Sequence, residues 1–172
     1  LIGDVREALK PYEAVNKAFI PVFAAGGVFA AGDCKRMLDA GASGVQIGTR
    51  FLTSYECNVS RPYKEAVLAA KDSSTTITGR TTGHPIRVIK NKLSRQLTQM
   101  ENHGEDPEKI AELGVGALQK AVIDGDVEYG SVMSGQIAGM INREQSCKEI
   151  IEDLMRDCAD VFRNRNALLD IR

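Results

Sequence analysis

Two short apolar runs end in glycine, Pro21-Val22-Phe23-Ala24-Ala25-Gly26-Gly27 and Gly44-Val45-Gln46-Ile47-Gly48-Thr49-Arg50-Phe51. Glycine lets backbone N–H groups approach an anion with no Cβ in the way. A helix-like stretch separates the runs, so they read as consecutive parallel strands whose glycine ends share the C-terminal edge of one sheet. A phosphate at that edge would accept hydrogen bonds from the N–H groups of Gly27, Gly48 and Thr49, with the Thr49 hydroxyl adding one more. A single glycine pair would indicate no more than a tight turn. Two of them, one helix apart, favour a phosphate site.

The elements that must position these groups follow from the pattern around them. Asp4 to Ala18 is expected to be helical, with Pro11 interrupting it or starting a second turn. Ile20 to Ala25 and Val45 to Thr49 are expected as buried parallel strands. Between them Asp33 can cap a helix over Cys34 to Ala40, with Met37 and Leu38 inward and Gly41 ending it. Ser60 should open a helix over Pro62 to Lys71, and Thr75 to Thr78 is a β-branched run that suits a short strand. Gly83-His84-Pro85 precedes an expected basic helix from Ile86 to Met100, and Glu101 to Glu105 reads as a polar loop. Asp106-Pro107 has the order of a helix start that Gly114 would end. Gly116 to Val122 and Ser131 to Ile141 read as small-residue helices around an Asp124-Gly125-Asp126 turn. Ser146 and Glu149 form a capping box before an amphipathic helix with Ile150, Ile151, Leu154, Cys158 and Val161 as its stripe. Arg163 onward reads as a frayed tail.

Composition sets the class. The chain has 172 residues, 43% hydrophobic and 26% charged, enough for a core. A net charge of −1 gives no electrostatic ground for nucleic acid or an anionic membrane as partner. Cys34, Cys57, Cys147 and Cys158 form no CxxC pair and no metal-ligand spacing, so reduced thiols and a cytoplasmic location are expected. No apolar run is long enough to span a bilayer, and no secretory signal opens the chain. The first residue is Leu1, and two strand–helix units cannot close an eight-stranded barrel, which takes about 250 residues. The chain is therefore expected to be the C-terminal part of a longer polypeptide.

The run Ile20 to Val28, the Leu38-Asp39-Ala40-Gly41-Ala42 segment and Gly44 to Phe51 together resemble the FMN-binding end of the nitronate monooxygenase (2-nitropropane dioxygenase-like) family, which includes the flavin-dependent enoyl-acyl-carrier-protein reductase II branch. Gly83 to Asn91, Gly116 to Asp126 and Gly130 to Gly139 resemble that branch more closely than the nitronate oxidases. The resemblance implies an α/β fold, the C-terminal part of a (β/α)8 TIM barrel followed by a mostly helical cap. It implies barrel units with the FMN phosphate site over 1–59, a helical cap over 60–145, and a terminal helix and tail over 146–172. It implies Ala25, Gly26, Gly27, Gln46, Gly48, Thr49 and Gln136 as FMN-binding residues. It further implies NADH or NADPH as co-substrate, an enoyl thioester or acyl carrier protein as substrate, and a homodimer. Two other readings stand beside it, a nitronate monooxygenase using FMN and oxygen, and a non-catalytic flavin- or phosphate-binding fragment.

One departure from the family matters. Its active-site histidine lies on a glycine-rich loop upstream of the Ala24-Ala25-Gly26-Gly27 run, and no such segment is present here. His84 reads as a turn residue and His103 as solvated, so no catalytic residue is assigned. Arg87, Lys90, Lys92 and Arg95 are expected to form a basic helical face, by default solvated, with docking of an acidic carrier protein or a nucleotide phosphate as the alternative. Met133 and Met140 read as packing or as the wall of an acyl channel. Asp124, Asp126 and Glu128 suit a turn better than a cation site.

Overall fold

The computed structural model describes residues 1–161; the tail expected from Arg163 lies outside them. In chain order the elements are α1 (Ile2–Asn16), β1 (Phe23–Ala25), α2 (Ala31–Asp39), β2 (Gly44–Gln46), a 3-10 turn (Thr49–Thr53), α3 (Arg61–Leu68), β3 (Thr75–Thr78), β4 (Ile86–Ile89), α4 (Lys92–Asn102), α5 (Pro107–Gly114) and α6 (Ala117–Gln119), which runs into a π-helical turn (Lys120–Asp124). A second 3-10 turn (Gln136–Met140) and α7 (Cys147–Met155) follow. The chain divides into two compact units, 1–47 with the segment from Cys147, and Gly48–Ser146. Among the described residues no helix is long and apolar enough to cross a membrane.

In the first unit β1 and β2 pair in parallel, with Phe23 opposite Gly44, Ala24 opposite Val45 and Ala25 opposite Gln46. The strands are shorter than expected. Gly44 is required by its neighbour, because a Cβ there would lie 2.7 Å from the Phe23 ring. The crossover helix starts three residues earlier than expected, with Ala30 at the cap, so Asp33 acts from the third helical position. Its carboxylate accepts from the N–H groups of Phe29 and Ala30 at 3.0 and 2.9 Å. Cys34 and Leu38 face the core, Met37 only partly, and they meet the buried Ile150, Leu154 and Cys158 of the C-terminal segment. Ile151 is exposed, so the apolar stripe of α7 is narrower than the sequence suggested. The Cys34 thiol lies against Cys158, and burial first, then that contact, pushes its pKa up to about 12. That keeps Cys34 a protonated thiol in the core.

The second unit departs from the expected helices in two places. Ile86–Ile89 is a strand, antiparallel to Thr75–Thr78, and the helix starts only at Lys92. Asn91 is its cap, accepting from the Ser94 N–H at 2.9 Å while donating to the carbonyls of Val127 and Gly130 at 2.8 Å. Isoleucine and valine in Ile86-Arg87-Val88-Ile89 suit a pleated surface, and the partner strand decides the conformation. Ser131 to Gly135 is extended, not helical: Met133 bridges Val88, and Ile89 donates to the Val132 carbonyl at 2.9 Å. Elsewhere the expectations hold closely. Ser60 caps α3 with Pro62 in its first turn, Asp106 caps α5, and Asp126 closes the turn by accepting from Glu128 and Tyr129. Tyr63, Val67, Ala121, Val132 and Ala138 form much of the core, and the Tyr63 hydroxyl donates to the Met133 carbonyl at 2.6 Å.

Helix α1 runs unbroken through Pro11, against the expected interruption. The missing N–H and ring clash of a mid-helix proline are destabilising, and a side-chain clamp spans the position. Arg6 Nη2 sits 3.1 Å from Glu13 Oε2, one pair bridging two helical turns. The same two side chains then fix the return of the chain, Arg6 donating to the Ile20 carbonyl at 2.8 Å and Glu13 accepting from the Ile20 N–H at 2.8 Å. The Ile20 N–H first, and the Arg6 guanidinium next, hold the Glu13 carboxyl below its ordinary pKa. The stabilisation it contributes is therefore full above the unfolded glutamate value and is lost as pH falls through the lower folded one. E13Q should lower the Tm of the intact protein by a few degrees at neutral pH. It should also flatten the loss of stability on acidification, so parallel melting curves for the two proteins down to about pH 3 would refute the clamp.

Candidate functional site

The glycine end of β1 stands where the parallel register puts it. Ala25 pairs with Gln46, so β1 runs out into Gly26-Gly27 at the same edge at which β2 runs out into Ile47. Ala25, Gly26, Gly27 and Gln46 are exposed. Gly26 and Gly27 adopt φ values of +83° and +71°, two left-handed residues in succession, which a side chain would strongly disfavour. A Cβ built on either would meet no protein atom within 4 Å.

Gly48 and Thr49 open the second unit. Gly48 has φ −109° and ψ −65°, a conformation any residue adopts, and a Cβ there would also meet nothing within 4 Å. Its glycine therefore answers no backbone demand and leaves open space at the chain. Among the described residues the N–H groups of Gly27 and Gly48 have no hydrogen-bond acceptor. A backbone donor left without an acceptor beside open space suits an oxyanion. Thr49 Oγ1 accepts from the Gly135 N–H at 2.8 Å, which brings Thr49 beside the residue preceding Gln136; its own proton remains available to donate. Gln136 is exposed at the start of the second 3-10 turn.

The remaining candidates fall apart spatially. Arg87 lies on β4 with its guanidinium on Thr75 Oγ1 at 2.9 Å, and Lys90 is in the loop after that strand, so the expected basic helical face does not exist. Lys92 begins α4, paired with Glu128 at 2.6 Å and 5.2 Å from the centre of the Tyr129 ring. His84 sits in the β3–β4 turn, its N–H on the Gly79 carbonyl, at a cleft of about 510 Å³ that Ile86, Leu97, Ile110 and Val115 also line. His103 is the exposed cap residue ending α4. Met133 is on the extended segment and Met140 on the turn after it, so no helix carries both. No group of acidic, histidine or cysteine residues among the described ones could hold a metal.

Sequence reading passed over Lys64. It lies on the buried face of α3 between Tyr63 and Val67, is 8% exposed, and donates to the Ser54 carbonyl at 2.6 Å. A lysine inside an apolar helical face is the signal that could have found it.

The family model described as nitronate monooxygenase matches residues 1–157. A Mycobacterium tuberculosis protein, (3aS,4S,5R,7aS)-5-hydroxy-7a-methyl-1-oxo-octahydro-1H-indene-4-carboxyl-CoA dehydrogenase, is 30% identical over 92% of this chain and 55% of its own length. A probable nitronate monooxygenase of Staphylococcus saprophyticus is 30% identical over 94% of this chain and 44% of its own. The solved structure of FabK from Thermotoga maritima superposes with a TM-score of 0.79 and 34% identity, covering 98% of this chain and 50% of that one. The chain thus spans about half the length of the proteins it matches.

The contact between Thr49 and Gly135 is directly testable. T49V should destabilise the intact protein by about 1 kcal/mol, because the Gly135 N–H loses its acceptor, while T49S should restore most of it. Urea unfolding that gives all three proteins the same midpoint would show the bond to be without effect.

Proposed function

The chain belongs to the nitronate monooxygenase family, and from that premise we propose that the whole protein is an FMN-dependent reductase of trans-2-enoyl thioesters, with NADH or NADPH as the source of hydride. The single observation that carries the substrate class is the 34% identity to FabK, an enoyl-acyl-carrier-protein reductase II, across 98% of the chain. The Mycobacterium relative, named for a carboxyl-CoA, supports a thioester as well. Nitronate oxidation with oxygen is the second reading, favoured by the Staphylococcus relative.

In this reading bound FMN would supply the redox chemistry between the nicotinamide and the enoyl thioester. The chain's own part is to bind and orient. The N–H groups of Gly26, Gly27 and Gly48 and the hydroxyl of Thr49 would hold the phosphate, with Ala25 and Gln46 at the adjoining strand ends. Backbone donors fixed by strand pairing lose little freedom when the anion arrives. Gln136, exposed beside the Thr49–Gly135 contact, would offer its amide to the flavin.

G48V tests the cradle without backbone strain, since valine tolerates the φ of Gly48. It should leave Tm nearly unchanged while the purified intact protein retains about tenfold less FMN by visible absorbance, roughly one lost charge-assisted contact. Full flavin retention would remove Gly48 from the site. Steady-state assays of the wild type then decide between substrates. Oxidation of NAD(P)H that depends on an enoyl thioester supports the proposal, whereas oxygen uptake with an alkyl nitronate and no nicotinamide requirement would replace it.

A further inference from the structure

Lys64 is a buried cation for which the fold provides no anion. Among the described residues no carboxylate lies within ion-pair distance of it, and its one hydrogen-bond acceptor is the Ser54 carbonyl at 2.6 Å. Burying an ammonium with one hydrogen bond and no counter-ion is destabilising. Ser54 is the cap residue ending the 3-10 turn Thr49–Thr53, and that turn begins at Gly48. A 3-10 helix has poorer hydrogen-bond geometry than an α-helix and is used in short pieces, so contacts from outside help to hold a five-residue run. Here support comes at both ends: Gly135 donates to Thr49 Oγ1 at the start, and Lys64 donates to the Ser54 carbonyl at the finish.

We infer that Lys64 is a positioning residue for FMN phosphate binding, pinning the turn that presents Gly48 and Thr49 and adding a fixed positive charge behind it. It does not touch the phosphate. The inference rests on the FMN reading above and adds to it a residue that sequence patterns did not mark. Its specific consequence is a preference for the phosphorylated flavin, because riboflavin has the same ring and ribityl chain but no phosphate for the turn to hold.

The test measures dissociation constants of the intact protein, stripped of flavin, for FMN and for riboflavin by quenching of flavin fluorescence. Wild type should prefer FMN by at least about tenfold. K64M should lose most of that preference while riboflavin affinity changes by no more than about twofold. K64R, which keeps the charge and a donor, should retain it. Equal weakening of both flavins in K64M would mean a merely structural lysine and would overturn the inference, as would an unchanged preference. K64Q is judged by the same ratio if K64M does not fold. A wild type with no preference for FMN would instead sink the phosphate reading itself, and the role of Lys64 with it.

Discussion

The parallel pairing of β1 with β2 is the constraint on which the candidate site depends. Parallel strands cannot be joined by a hairpin, so the chain must cross over, and α2 is that crossover. The crossover brings both strands out at one edge. Ala24, Leu38, Ala42, Ile150 and Leu154 are buried in the same unit and keep the layers together. Slipping the register by one residue would turn Ala24 outward and Phe23 inward, with its ring no longer accommodated by the bare Cα of Gly44. The geometry of the Gly26-Gly27 end thus follows from packing some distance away from it.

Much of this was legible in the sequence because the relevant information is local. Glycine after a short apolar run, Asp106 before Pro107, and Ser60 two residues before Pro62 each specify a backbone state within a few residues. The failures lie where the deciding partner is distant. Ile86 to Ile89 precedes a strongly helical, charged stretch, and only pairing with Thr75–Thr78 makes it a strand. Ser131 to Gly135 is rich in small residues that a helix accepts, but its hydrogen bonds go to β4. Because the helix begins only at Lys92, Arg87 and Lys90 lie off it and share no helical face with Lys92 and Arg95. Pro11 failed in the opposite direction: a strong local rule was overridden by Arg6 and Glu13, seven residues apart.

In the candidate site the division of labour between backbone and side chains was only half visible. The motif supplies the glycines, and their exposed N–H groups follow from it. What keeps the second loop in shape is invisible to a motif, because it comes from Gly135, 86 positions beyond Thr49, and from Lys64 on another helix. Side chains here hold backbone, and backbone is left to meet the ligand. That arrangement tolerates variation in the supporting residues so long as the turn keeps its contacts, which also include Arg50 donating to Gln145 Oε1 at 3.2 Å.

The hydroxyl of Tyr63 gives the helical unit an alkaline trigger that is also an optical one. Burial raises its pKa to about 12 from an ordinary 10, the bond to the Met133 carbonyl partly offsetting the shift. Across that interval the unfolded chain releases the proton and the folded chain keeps it, so the stability due to this group is present below the unfolded value and drains away as pH rises through the folded one. Once ionised, the phenolate would face a carbonyl oxygen it can no longer donate to. The chain has no tryptophan, and its other tyrosines, Tyr12, Tyr55 and Tyr129, are at least half exposed. A late tyrosinate absorbance step in an alkaline titration would therefore carry the signature of one contact, the seam between α3 and the extended segment that leads to Gly135.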